Sequence, residues 1–252
     1  TWQAKQVAKG DYSQSVSYLG EFSEAFNTMT KQLKEIFKVE EIRVYFGIIL
    51  GAGTFIALNI RSLYGSLGEA FRHAFFQVGS IITTCGYATT DFDLWPETSK
   101  MILVLLMFIG ACAGSTGGGF KISRLLILCK AIPKQLSLVI HPREVKVIRM
   151  DGKPIDHNTL RSTNVYLAIY FFILLVSTLL ISVDNFNLTT NFTAVASTLN
   201  NIGPGLDGVG PTRNFGMYSD FSKFVLMFDM LAGRLELYPL LILFMPSLWR
   251  RK

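Results

Sequence analysis

Residues 83–88 read Thr-Thr-Cys-Gly-Tyr-Ala, and residues 201–205 read Asn-Ile-Gly-Pro-Gly. The stretches leading into them superpose without a gap. Phe75 and Phe192 each lie eleven residues before a central glycine, Gly86 or Gly203, and in that frame Val78 matches Val195 and Ser80 matches Ser197. A match of this length says that the chain builds one local structure twice. Each copy lies in a loop between strongly apolar runs, so the loops must be read through those runs.

Half of the 252 residues are hydrophobic and 13% are aromatic, which excludes a disordered chain and points to a membrane protein with polar flanks. A helix needs about 20 mostly apolar residues to cross a bilayer. Residues 44–60 and 165–183 fit with little polar content. Residues 101–113 are too short alone, break at a glycine-rich stretch and resume at 125–132, while residues 221–248 carry Asp229, Arg234 and Glu236. Four crossings are expected, two of them irregular. Between the second and third lie Lys121, Arg124, Lys130, Lys134, Arg143, Lys146, Arg149, Lys153 and Arg161, opposed by Glu144, Asp151 and Asp156; the chain ends Arg250-Arg251-Lys252. Basic loops remain cytoplasmic. Both termini are therefore expected on that side and the duplicated loops on the other, beside Asp91, Asp93, Glu97, Asp207 and Asp220.

Each half then reads span, short helix, loop, span, in an all-α integral membrane fold. Leu67–Ile82 and Leu188–Leu199 are the short helices, too amphipathic and too short to cross. The two glycines follow their C-terminal ends, where the helix dipole favours a cation. Irregular backbone at that depth is tolerated only where it is buried in protein or lines a wet path. Potassium-channel filters are Thr-Val-Gly-Tyr-Gly loops whose carbonyls replace the ion's water shell, and the duplicated windows are similar to them. An ion pore is expected.

Gly114, Ser115, Thr116, Gly117, Gly118 and Gly119 interrupt an apolar helix in the first half. Glycines accept backbone conformations that other residues resist, so a mobile loop within the membrane and a simple kink both stay open. A phosphate-binding loop needs Lys and then Ser or Thr directly after its last glycine; here Phe120 intervenes and Ile122 follows Lys121. Arg234 lies mid-span, where a charge costs about 2.5–3.5 kcal/mol on insertion scales and faces a partner or a wet cavity. A polar partner in the glycine-rich loop suits it. Asp229 reads as structural, and Glu236 suits either role. Cys85, Cys112 and Cys129 form no CxxC pair and His73, His141 and His157 are scattered, so neither a zinc site nor a disulfide framework is expected.

Four pieces together resemble the C-terminal half of Trk-type potassium-uptake subunits, the TrkH branch of the Trk/Ktr/HKT superfamily. They are residues 83–88, 114–121, 201–205 and the Gly-Arg-Leu-Glu-Leu-Tyr-Pro-Leu-Leu of 233–241, within a resemblance running from Glu41 to Lys252. In that family four repeats surround one pore, and each filter keeps a single glycine; Ala88 in place of the second channel glycine agrees. The resemblance implies a third-type repeat over 39–140, a basic cytoplasmic linker over 141–161 and a fourth-type repeat over 162–252. It implies potassium as the only metal, held by carbonyls around Thr84, Cys85, Gly86, Asn201, Ile202 and Gly203. It also implies a gate made by the glycine-rich loop with Arg234. Further implications are a bacterial inner-membrane location, a homodimer and a cytosolic nucleotide-binding regulatory subunit of the TrkA kind. The basic segment suits that subunit or anionic lipid equally. Two repeats stand where the family has four, so the chain is expected to be a piece of a longer protein, or else to act as two copies.

Residues 1–38 fall outside this resemblance. Leu19, Phe22, Phe26, Met29, Leu33 and Ile36 recur at alternating steps of three and four, an a/d stripe of just over two heptads. The string from Gly20 to Met29 is similar to the second helix of HAMP linkers in bacterial signalling receptors. A dimerising coiled coil and an amphipathic helix on the membrane surface both fit. No leader pattern opens the chain.

The expected function is passive potassium permeation without catalysis, with no nucleic-acid partner and no bound cofactor beyond the ion. The alternative is a non-conducting fragment in which the tail serves as a dimeric signalling element. A membrane enzyme would need converging acid, base or nucleophile groups, and only Asp229, Arg234 and Glu236 are available within the spans.

Overall fold

The computed structural model describes residues 21–36, 38–115, 117–141, 143, 147–235 and 237–243. Contacts divide the chain into two compact units, Thr1–Phe46 and Gly47–Lys252. The first contains α1 (Glu21–Ile36). On α1, Ser23, Phe26 and Thr30 are buried while Met29 and Ile36 are exposed. The buried face is thus set by spacings of three and four from Phe26, and it is not the whole a/d stripe. Leu19 and the terminal Arg250, Arg251 and Lys252 lie outside the described residues.

Helix α2 (Glu40–Asn59) leads into the second unit, followed by α3 (Leu67–Ile82), α4 (Glu97–Phe108) and α5 (Ile122–Ile140). A two-residue hairpin, β1 (Arg149–Met150) with β2 (Lys153–Pro154), precedes α6 (His157–Ile181), α7 (Leu188–Leu199), α8 (Asp220–Leu235) and α9 (Leu237–Leu243). Among the described residues, Glu40–Asn59 and His157–Asp184 are long and apolar enough to cross a membrane, and only 22% and 28% of their apolar windows are buried within the chain. Helices in a soluble core would be covered. These instead turn Leu50, Phe55, Leu58, Phe172, Leu175 and Leu179 outward, a surface costly in water at about 25 cal/mol per Å² and at no such cost in lipid. Of the other two apolar runs, one is split between α4 and α5, and Glu236 in the other lies outside the described residues.

The short helices start at side-chain caps. Ser66 Oγ accepts the Glu69 amide at 3.2 Å, and Asn187 Oδ1 accepts the Thr190 amide at 2.7 Å, each satisfying a donor that the first turn leaves open. Around α7 the core is made by Tyr170, Leu174 and Ile181 of α6 with Val225, Leu226 and Ala232 of α8. Small residues on α7, Ala194 and Ala196, allow close approach. Asp229 is fully buried and accepts Ser177 Oγ at 2.7 Å, joining α8 to α6. Beyond the duplicated loops the halves are stitched together: the Asp207 amide donates to Asp93 Oδ2 at 3.0 Å and Thr212 Oγ1 to Asp91 Oδ2 at 3.1 Å. At the other end, the hairpin is held by Ile148 and Leu160 packing on Ile127 and Ala131.

Candidate functional site

Both short helices end in the same way. After α3 the amides of Thr83, Thr84 and Cys85 bond the carbonyls of Gly79, Ile81 and Ser80 at 3.1, 3.0 and 2.8 Å. After α7 the amides of Asn200, Asn201 and Ile202 bond Ala196, Thr198 and Ser197 at 3.2, 3.0 and 2.9 Å. Thr84 and Asn201 take left-handed φ of 55° and 54°, and the glycines follow at 81° for Gly86 and 119° for Gly203. The aligned residues therefore share one backbone path.

That path directs the carbonyls. A trans peptide sets each N–H opposite the preceding C=O. The Cys85 and Gly86 amides turn back to the Ser80 carbonyl at 2.8 and 3.4 Å, and the Ile202 and Gly203 amides to the Ser197 carbonyl and hydroxyl at 2.9 and 3.0 Å. The carbonyls of Thr84, Cys85, Asn201 and Ile202 are thereby turned away from their own helices. The two loops also lie side by side. A Cβ on Gly86 would overlap the Ile202 carbonyl oxygen, and one on Gly203 would come within 4.0 Å of Gly86 Cα. Left-handed φ and this approach together require glycine at position 86.

The glycine-rich stretch is a closed loop between α4 and α5. The Gly110 amide donates to Phe120 O at 3.0 Å and the Phe120 amide to Phe108 O at 3.2 Å. Gly114 and Gly119 have φ of 84° and 80°. The loop reaches both filter-like segments. A Cβ on Gly117 would lie 3.2 Å from Thr84 Oγ1, one on Gly118 would overlap the Asn200 carbonyl oxygen, and one on Gly119 would lie 2.9 Å from Asn200 Oδ1. Thr116 lies outside the described residues. Arg234 is exposed near the end of α8. Its neighbour Gly233 meets the site, since a Cβ there would overlap the Leu199 carbonyl and lie 2.8 Å from Asn201 Nδ2.

Several contributors escaped sequence reasoning. Asn200 is fully buried, with Oδ1 accepting the Tyr170 hydroxyl at 2.8 Å and Nδ2 donating to Ala196 O at 2.7 Å. It fixes the floor on which Gly118 and Gly119 rest. Gly205 occupies the aligned place of Ala88, but it is turned into the protein, where a Cβ would lie 2.7 Å from Val209 Cγ2 and 2.9 Å from Thr193 Oγ1. Lys121, expected on the cytoplasmic surface with the other basic residues, is instead buried. Its Nζ donates to Ser115 O at 2.6 Å, a bond of the kind a buried ammonium needs.

A family model described as "TrkH: Cation transport protein" matches residues 37–251. The chain belongs to the TrkH family. Among its relatives, "Trk system potassium uptake protein TrkH" of Vibrio parahaemolyticus is 38% identical over 207 residues, 82% of this chain and 42% of that protein. The Escherichia coli K12 protein of the same name is 35% identical over 222 residues, 87% of this chain and 46% of its own length. The crystal structure of the potassium transporter TrkH from Vibrio parahaemolyticus superposes with a TM-score of 0.80 at 35% identity, covering 91% of this chain and 48% of that one. The chain thus spans less than half the length of these TrkH relatives, and the family match begins where the N-terminal tail ends.

Proposed function

We propose that this TrkH-family chain supplies two of the filter segments of a passive potassium pore in a bacterial inner membrane, with both termini on the cytoplasmic side. The observation that carries the reading is the side-by-side placement of Gly86 and Gly203, with main-chain carbonyls turned away from the ends of two short helices. Carbonyls so held can exchange for an ion's water shell, and the adjoining helix ends favour a cation. Thr84, Cys85, Gly86, Asn201, Ile202 and Gly203 are the proposed ion ligands through their backbone. Gly117, Gly118 and Gly119 lie against Thr84 and Asn200, and the loop of Gly114, Ser115, Thr116, Gly117, Gly118 and Gly119 is the proposed gate, with Arg234 as its partner. Transport rather than catalysis is the role of the site.

Partners follow from the same reading. Completion of the pore falls to two further repeats, from the remainder of a longer protein or from a second copy. A cytosolic nucleotide-binding subunit of the TrkA kind would dock on the basic side. There Lys130, Lys134 and Arg149 line one cleft that is equally fit for anionic headgroups. The deciding experiment is rubidium and sodium flux into vesicles holding the assembled pore. Rubidium entry that exceeds sodium entry supports the reading; flux indifferent to ion identity removes it.

A further inference from the structure

Lys121 carries its charge into the loop rather than toward water. The residue is 8% exposed, and its Nζ donates to Ser115 O at 2.6 Å, Gly117 O at 3.3 Å and Ser115 Oγ at 3.4 Å. We propose that Lys121 is the latch of the glycine-rich loop: its ammonium is a tethered cation held in a site made of the loop's own oxygens, keeping the loop beneath the two filter segments. The latch itself rests on geometry; its consequence for flux rests on the loop being the gate.

Three features argue for a latch rather than a space-filling side chain. First, an ammonium has three protons and no acceptor, and three oxygens of one loop receive it. Second, two of those oxygens are main-chain, so the contact depends on the loop's conformation and not on which side chains the loop carries. Third, the backbone of Lys121 is itself fixed, because it directly follows Phe120, whose amide and carbonyl close the loop onto Phe108 and Gly110, and it directly precedes the first turn of α5. The fixed end of the lever is on α5 and the held end is the loop. A buried ammonium that lost these acceptors would be strongly destabilised until water reached it. Loop movement is therefore coupled to solvation of Nζ.

The test is hydrogen exchange followed by mass spectrometry on the full chain, comparing wild type with Lys121→Met, Lys121→Arg and Ser115→Ala. Loss of charge-assisted bonds should speed exchange at residues 111–119 by about tenfold or more in Lys121→Met, with α3 and α7 unchanged. Lys121→Arg, which keeps a cation, should retain part of the protection. Ser115→Ala should change little, because it removes only the longest contact. Unchanged loop exchange in Lys121→Met would overturn the proposal. So would exchange that rises equally throughout the chain, which would make Lys121 a general packing residue. Rubidium flux into vesicles holding the same variants in the assembled pore separates the two readings. Faster loop exchange with raised flux supports both, whereas faster loop exchange with unaltered flux leaves the latch standing and removes the gate.

Discussion

At Gly86 two constraints coincide: a φ of 81° and a neighbouring carbonyl oxygen, that of Ile202, where a Cβ would stand. A side chain there meets left-handed strain of about 1–2 kcal/mol and displaces one of the proposed ligands. Gly86→Ser is therefore expected to lower rubidium-over-sodium discrimination by about tenfold or more, since each 1.4 kcal/mol of lost preference is tenfold. Paired flux measurements check this, and discrimination equal to wild type would refute it. Gly205 is a useful contrast. In the aligned frame it looks like a second filter glycine, yet its neighbours are Thr193 and Val209 of the protein interior. The duplication in sequence located Gly86 and Gly203, because a repeated backbone path needs the same permissive residue at the same step. It could not sort Gly205 or Lys121, whose surroundings come from residues distant in the chain or from a loop whose closure leaves no sequence pattern.

Among the helices, the bounds of the two short ones, Leu67–Ile82 and Leu188–Leu199, match those read from the sequence. Ser66 and Asn187 open α3 and α7, and the filter-like segments close them. What periodicity did not reveal is how closely α8 approaches the second of these segments. Gly233 lets the α8 backbone meet Leu199, and Asn201 Nδ2 donates to Met230 O at 3.1 Å. Gly233→Leu should push α8 off the segment and lower stability by about 1–3 kcal/mol, measured as a fall in Tm in detergent, with selectivity impaired in whatever protein remains folded; an unchanged Tm would count against this packing. The glycine-rich loop makes the opposite case, since removing it should increase function. It presses on Thr84 and Asn200 without contributing a span. Deleting three residues from 114–119 is expected to raise rubidium flux several-fold by clearing the constriction, and flux that stays level or drops would deny the loop its proposed role.

For the whole molecule, the surface beside the filter-like segments is unfinished. A cleft of about 430 Å³ opens there, lined by Ser197, Thr198, Ile202, Gly203, Leu226 and Met230, with Met227 and Leu231 exposed on the same helix as Met230. If the proposed carbonyls bind an ion, they need other carbonyls across from them, because two segments surround only part of its shell. Lipid could cover the methionines but could not supply those ligands. Expressed alone in a potassium-uptake-deficient bacterial host, the chain should therefore fail to restore growth on low potassium. Co-expressed with a polypeptide that carries two more span–helix–loop–span repeats of the TrkH family, it should restore growth, and Gly86→Ser should abolish that gain at high sodium. Growth from the chain alone would instead mean that two copies close the ring. In that case cross-linking through cysteines introduced at Met227 or Met230 should trap a dimer. Failure of both the lone chain and the co-expressed pair, with both polypeptides present in the membrane, would return the chain to the class of non-conducting membrane elements.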